Sequence, residues 1–367
     1  MKHEYVEFLS KVIRGELPPV DLPQGAEQFV DPDAKIKRFL IGKNPQSEFL
    51  RRRLPIDGLI DDRAAPNSFW AGIPVVRMSD VDQDAWIANT SSSIAPVSVQ
   101  SALRGAQLKN ALTIPQLLLL LDVHPEFQPE FVSSMRREFA TNLDSWVDLF
   151  DRLDDDASRK VLFDVSRFRA TADPSFMDGY SVRFKEQYLE SFLNMHHEVF
   201  VDAGGFDGDT TEAFCRFAPD YERVHLFEPS AINMARAKAR LEGFPRIVFH
   251  DFGLSDKREE LFFNATAGSA SAVSVSGDLA IQVVPLDGFL EDSVSFIKMD
   301  LEGWEMHALK GAANTIRSGQ PKLAISVYHH SKDFTEVPRF ILQCYPGYKI
   351  RLRHYSEGWS ETVMFFY

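Results

Sequence analysis

Cysteine is almost absent from this sequence: Cys215 and Cys344 are the only two among 367 residues. Neither stands in a CxxC or zinc-like spacing, which excludes a disulfide-stapled scaffold and a thiolate metal cluster and points to a reducing compartment. Long apolar runs are missing as well. The most apolar stretch, Leu117 to Leu121, is closed off by Pro115 and Asp122, far short of the ~20 residues that a membrane span requires. The start, Met1-Lys2-His3-Glu4-Tyr5, has no basic segment leading into an apolar one, so no secretory signal is read there and a cytoplasmic protein is expected. Positive charge is also in deficit. Forty Lys and Arg against 53 Asp and Glu give a net charge of −13, which argues against a surface built to grip a phosphate backbone and hence against nucleic acid as a partner.

What is present is ordinary globular material, 44% hydrophobic and 25% charged, in a chain too long for one core. Residues 1–34 are polar, carry Pro18-Pro19 and a Pro23–Gly25 turn, and read as an N-terminal arm. Residues 35–108 read as a small α/β domain. Arg38 to Gly42 forms a strand, Ser47 to Arg53 a short helix, and Ile56 to Asp62 a second strand ending in acids. Ile73 to Val76 and Ala85 to Asn89 add extended segments. The layout is Rossmann-like, but Gly42 stands alone where a dinucleotide fingerprint needs about three glycines, so no dinucleotide is expected there. Residues 109–197 read as helical: Leu143, Trp146, Val147, Phe150 and Leu153, then Val161, Leu162, Val165 and Phe168, recur at helical spacing and mark a packing stripe.

From Glu198 to Tyr367 the pattern changes to strands punctuated by glycine and acid. Val199 to Asp202 reads as a buried strand running into Gly204, Gly205 and Gly208, with Asp209 or Thr210 as the cap of the next helix. A second strand ends at Glu228, a helix spans Ser230 to Glu242, and a third strand ends at Asp251. Such a glycine turn lets a ligand approach backbone where a Cβ would clash. An acid closing the second strand can accept both ribose hydroxyls, and residues after the third strand, Asp251 and Phe252, can read an adenine. The turn is Asp-x-Gly-x-x-x-Gly rather than Gly-x-Gly-x-x-Gly. Asp202 at its head suits a methionine ammonium, whereas a pyrophosphate would be repelled. A fourth strand, Ser295 to Asp300, ends in a charged mouth with Asp300 and Glu302, and carries Lys298, read as an edge lysine that snorkels. Met306, Leu309 and Ile316 point a helix inward, a fifth strand ends at His329-His330, and 348–355 with 361–367 read as a closing antiparallel pair. Ser269 to Ala272 reads as a polar loop after a hairpin starting at Leu261, a candidate cofactor cover or a plain solvent loop.

These segments resemble the FkbM-type methyltransferases. The resemblance rests on Val201 to Gly204 with Gly208-Asp209-Thr210, Phe227-Glu228-Pro229, Ile297 to Gly303, Leu309 to Ala312, Val327-Tyr328-His329, Leu352 to Tyr355 and Glu361-Thr362-Val363. Asp155 to Arg159 and Glu186-Gln187-Tyr188 extend it into the helical region. It implies a C-terminal Rossmann-like sheet of seven strands, S-adenosylmethionine as cofactor, and usually O-methylation of a sugar, glycan or natural-product hydroxyl. It carries a cofactor role onto Asp202, Gly204, Gly208 and Glu228, and an acid of the fourth strand onto Asp300. Gly205-Phe206, where members often have alanine and another residue, and the bulky Trp304 depart from the family pattern.

The expected fold is therefore α/β, with the methyltransferase sheet in 198–367 preceded by the helical segment and the small Rossmann-like domain. A sulfonium methyl is already electrophilic, so the protein must align a hydroxyl and remove its proton. His329 is the expected base, with His354 or Asp300 in support, and His330 and Asp333 orienting the acceptor. No spacing compels a metal, although Asp300, Asp333 and a histidine would suit a hard cation. A non-catalytic nucleotide- or sugar-nucleotide-binding module and a nicotinamide-dependent oxidoreductase are the rival readings. The acceptor's identity is not legible, and a homo-oligomer stays open.

Overall fold

The apolar segments between Arg38 and Leu112 assemble into a sheet around which the first of two compact units is built. The computed structural model describes residues 1–263, 273–274 and 279–367, so Ser269 to Ala272 lie outside the described residues. The first unit comprises Met1–Leu143, Lys160–Val182 and Ser356–Ser360, and the second Asp144–Arg159, Arg183–Tyr355 and Glu361–Tyr367.

In the first unit the strands are β1 (Arg38–Ile41), β2 (Gly58–Ile60), β3 (Phe69–Trp70), β4 (Ile73–Val76), β5 (Trp86–Asn89) and β6 (Ala111–Leu112), ordered β3-β4-β2-β1-β5-β6. All neighbouring pairs are parallel except β3 with β4. Within residues 1–34, the polar composition hides an amphipathic helix, α1 (Lys2–Ile13), whose Tyr5, Leu9 and Val12 repeat at helical spacing and are buried. A second short helix, α2 (Glu27–Val30), is pinned by the buried guanidinium of Arg38, which donates to the carbonyls of Gln28, Phe29 and Asp31. Helix α3 (Pro45–Arg53) starts two residues before its expected place, because Asn44 caps it by accepting from the Ser47 amide at 3.0 Å and Pro45 suits the first turn. Helices α4 (Pro96–Gly105) and α5 (Ile114–Leu120) follow the last two strands.

The stretch 109–197 is shared between both units. Helix α6 (Glu130–Arg152) kinks at Asn142, and the divisions fall within it and within α7 (Asp156–Thr171). Trp146, Phe150 and Leu153 are buried, as their spacing implies.

The second unit holds a seven-stranded sheet of β7 (Val199–Ala203), β8 (Arg223–Phe227), β9 (Ile247–His250), β14 (Phe296–Met299), β15 (Lys322–Ser326), β16 (Ile350–His354) and β17 (Thr362–Phe366). Between β9 and β14, a four-stranded sheet forms from β10 (Gly253–Leu254), β11 (Glu259–Phe263), β12 (Val273–Ser274) and β13 (Leu279–Val284). The large sheet runs β16-β17-β15-β14-β7-β8-β9, parallel except around β17, which is antiparallel to both neighbours. Its first strand, β7, is central, with β8 and β9 to one side and β14 and β15 to the other. The chain thus reverses direction of growth between β7 and β14, which opens a crevice at their carboxyl ends. Helices α8 (Asp209–Phe217) and α9 (Ala231–Arg240) connect the early strands. The expected helix through Met306 and Ile316 is two, α10 (Glu305–Lys310) and α11 (Ala313–Gly319), and α12 (Asp333–Cys344) follows β15. This is the α/β architecture expected of the C-terminal region. No described helix is long and apolar enough to cross a membrane.

Candidate active site

The turn after β7 is shaped by packing of protein on protein. Gly204 has φ of +81°, and its amide and that of Gly205 both donate to the Phe227 carbonyl at 3.0 Å. A Cβ on Gly204 would lie 2.0 Å from the Asp300 carbonyl oxygen, and one on Gly205 2.4 Å from Leu226 Cγ. Both glycines are therefore required by the neighbouring strands. Gly208, also at positive φ, is the cap of α8, one residue earlier than expected.

Asp202 does not present itself to a ligand. It is wholly buried, with one oxygen 3.0 Å from Lys298 Nζ and the other accepting from Thr211 Oγ1 at 2.7 Å. Lys298 is correspondingly not the snorkelling edge lysine expected. β14 is interior to the sheet, and the ammonium is 3% exposed, donating also to the Gly204 carbonyl at 2.8 Å and the Ala203 carbonyl at 3.3 Å. Burial works against its charge, but Asp202 and Asp300 outweigh it and hold its pKa above the ordinary lysine value. The pair locks the glycine turn to β14.

Glu228 follows β8, buried, with one oxygen accepting from the Phe206 amide at 3.0 Å and the other from the Ser230 amide at 2.8 Å. Burial pushes its pKa up, against those two amides. Each oxygen retains a lone pair, and both are fixed in direction, as an acceptor for a diol requires. Asp251 and Phe252 follow β9. Asp251 is exposed, 3.4 Å from Lys238, and the Phe252 ring lies edge-on to Phe289 at 5.7 Å.

Beyond β14 and β15, which pair in parallel, acids and one imidazole converge. His329 Nδ1 is 3.0 Å from Glu305, and Nε2 is 3.4 Å from Glu302 and 3.5 Å from Asp300. Burial disfavours the charged ring, yet Glu305, Glu302 and Asp300 together raise its pKa well above the usual histidine range. Glu302 reaches the cluster from a residue with φ of +52°, in the left-handed region. Tyr188 donates to Asp300 at 2.6 Å, and Tyr328 at 3.3 Å. Gln187 donates both to the Tyr188 hydroxyl at 3.0 Å and to Glu361 at 2.8 Å, extending the network to the head of β17. Burial and the Asp300 charge push Glu361 up to about 7.

The other expected participants lie differently. His354 is buried with Nδ1 2.8 Å from Thr362 Oγ1. Asp333 turns to His330, accepting from its amide at 2.9 Å at the start of α12. Trp304 stacks on His307 with centroids 4.0 Å apart and donates to Ser255 at 3.2 Å. Sequence reasoning did not single out Glu305, Glu361 or Tyr188 as site residues. The signal for Glu361 is a lone acid opening an otherwise apolar final strand.

Comparison with known proteins accords with this arrangement. Residues 202–350 match the model described as the methyltransferase FkbM domain. A crystal structure described as methyltransferase FkbM from Methylobacillus flagellatus KT aligns over 100% of both chains at TM-score 0.74 and 23% identity, a likeness of fold. Aeropyrum pernix fibrillarin, described with natively bound S-adenosyl-L-methionine, aligns over 50% of this chain and 71% of its own at 9% identity and a TM-score of 0.34, too low to carry an argument. No curated protein matches.

Proposed function

We propose, for a chain whose residues 202–350 match the FkbM methyltransferase domain model, that the crevice of the second unit binds S-adenosylmethionine and passes its methyl group to a hydroxyl of a sugar, glycan or related small-molecule acceptor. The observation that carries the cofactor reading is Glu228. Its two oxygens are held by the Phe206 and Ser230 amides beside the Gly204 turn, with the free lone pairs that a ribose diol needs. Asp251 and Phe252, at the end of the next strand, are assigned to the adenine. Asp300 lies at the end of β14, across the glycine turn, and begins the acceptor side.

In the transfer, a bond forms between the acceptor oxygen and the methyl carbon as the bond from carbon to sulfur breaks, leaving S-adenosylhomocysteine. The hydroxyl proton passes to the cluster of Asp300, Glu302, Glu305, His329 and Glu361. Alignment of the two reactants accounts for most of the acceleration, on the order of 7–11 kcal/mol. The proton-accepting cluster supports a hydroxyl acceptor, because an incoming oxygen nucleophile must shed a proton.

Calorimetric titration of S-adenosylhomocysteine into the wild-type protein and Glu228→Ala, with NADH as control, tests the reading. Micromolar-range affinity, about 8 kcal/mol, should fall at least tenfold in the variant, and NADH should give no heat. Absence of binding to folded wild-type protein would overturn it.

A further inference from the structure

The cluster beyond β14 and β15 contains more than proton transfer requires. Asp300, Glu305 and His329 each direct one donor atom to a common region, all within 4.8 Å of one another. The His329 side chain is 9% exposed and that of Glu305 1%. Both ring nitrogens of His329 and Glu305 Oε2 are buried without a hydrogen-bond partner. Glu305 Oε1, in contrast, is held by the Leu301 amide at 2.6 Å, with the Gly303 amide at 3.4 Å. The carboxylate is thus anchored by one oxygen and offers the other. Lys298, the cation on the adjoining strand, is already directed to Asp202 and two carbonyls. Three carboxylates thus surround one imidazole, Asp300 and Glu302 partly exposed and Glu305 and His329 buried, and the unpartnered buried atoms of the last two are ones a bound cation would satisfy.

We propose that Asp300, Glu305 and His329, with Glu302 at the rim, form a binding site for one divalent first-row cation such as Mn2+. The donor set chooses the class. Carboxylate oxygens suit hard cations, and one imidazole nitrogen moves the preference from Mg2+ and Ca2+ toward the first-row metals, with no thiolate among the donors to favour a soft ion. The Tyr188 hydroxyl donates to Asp300 and turns that carboxylate, as outer-shell partners of metal ligands do. The sequence compelled no metal; of the residues that would have suited one, Asp333 turns to His330 instead, and Glu305 stands in the cluster. Cation binding stands on this geometry alone. Its use rests on the methyl-transfer reading: the ion would hold the acceptor's hydroxyl oxygen and ease loss of its proton.

The test is titration of Mn2+ into the metal-stripped full chain, followed by electron paramagnetic resonance. One site per chain with sub-millimolar affinity is expected. Glu305→Gln should weaken it by about tenfold or more, whereas Asp148→Asn, an exposed acid paired with Arg152, should not change it. Spin-echo spectra of the loaded wild-type protein should show one directly bound nitrogen, lost in His329→Gln, a readout that does not depend on Glu305→Gln folding. No site, unchanged affinity in Glu305→Gln, or a nitrogen signal that is absent or persists without His329 would each overturn the proposal. S-adenosylhomocysteine binding, measured on the same samples, separates the two readings. Its loss with Mn2+ binding intact would defeat the methyl-transfer reading and leave the cation site standing, and the reverse pattern would do the opposite.

Discussion

Replacing Lys298 by Met examines the link on which the glycine turn depends. Asp202 is wholly buried, its partner ammonium is 3% exposed, and 3.0 Å separates them. Methionine fills the space of the lysine stem but removes the charge and the donors to the Gly204 and Ala203 carbonyls. Asp202 is then left with Thr211 Oγ1 and an uncompensated buried charge, at a cost of about 3–5 kcal/mol. That is roughly a hundred- to several-thousand-fold in the opening equilibrium. With two units in the chain, a single global transition is not a safe readout, so the assay is urea-dependent hydrogen exchange at the amides of β7 and β14. The double variant Asp202→Asn, Lys298→Met keeps an acceptor for Thr211 and removes both charges. It should recover at least ~2 kcal/mol relative to the sum of the single variants. A Lys298→Met protein within about 1 kcal/mol of wild type, or a double variant as unstable as the sum, would refute the argument that this pair stabilises the turn.

Two further outcomes follow from the same sheet. Gly204→Ala puts a Cβ 2.0 Å from the Asp300 carbonyl at a φ of +81°. Strain and forced backbone movement together should cost about 3 kcal/mol or more and weaken S-adenosylhomocysteine at least tenfold; calorimetry on the variant showing unaltered affinity would contradict the packing account. His250, half-buried against the Phe227 ring and 3.0 Å from His225, has its pKa lowered by burial, and by the neighbouring histidine, from 6.5 to about 4. The unfolded chain therefore takes up this proton first, and stability should fall as pH drops from about 6.5 to about 4. With partial exposure allowed for, the loss is ~2 kcal/mol. Denaturation series at pH 7 and 4.5 should show a smaller loss in His250→Asn, and identical losses in both proteins would count against it.

What was legible in the sequence is what local pattern decides. β7, β8 and β14 are largely apolar runs that stop at Gly or an acid, so Glu228 and Asp300 could be placed at strand ends before any tertiary contact was known. The closing antiparallel pair was legible from its own local pattern, an alternating Ile350 to His354 followed by an apolar Val363 to Phe366. The illegible parts depend on which strands become neighbours. Lys298 reads as an edge residue only while the order of the sheet is unknown; once β7 and β15 flank β14, the same side chain can only be a buried partner for Asp202. Likewise Glu305 reads as the first turn of a helix, where an acid is ordinary. Its meaning changes when the parallel pairing of β14 with β15 brings His329 to 3.0 Å. Tyr188 and Glu361 come to Asp300 from segments far apart in the chain, and no spacing rule links them. Local rules favour scattering like charges, so a sequence reader spreads Asp300, Glu302, Glu305 and Glu361 over a solvated rim. Gathered around one imidazole, the acids outnumber the single positive charge that ring can carry, which favours a bound cation. The acids at this end of the sheet are thus the place where folding alone gives the poorest account of the residues chosen, and where a ligand gives the best one.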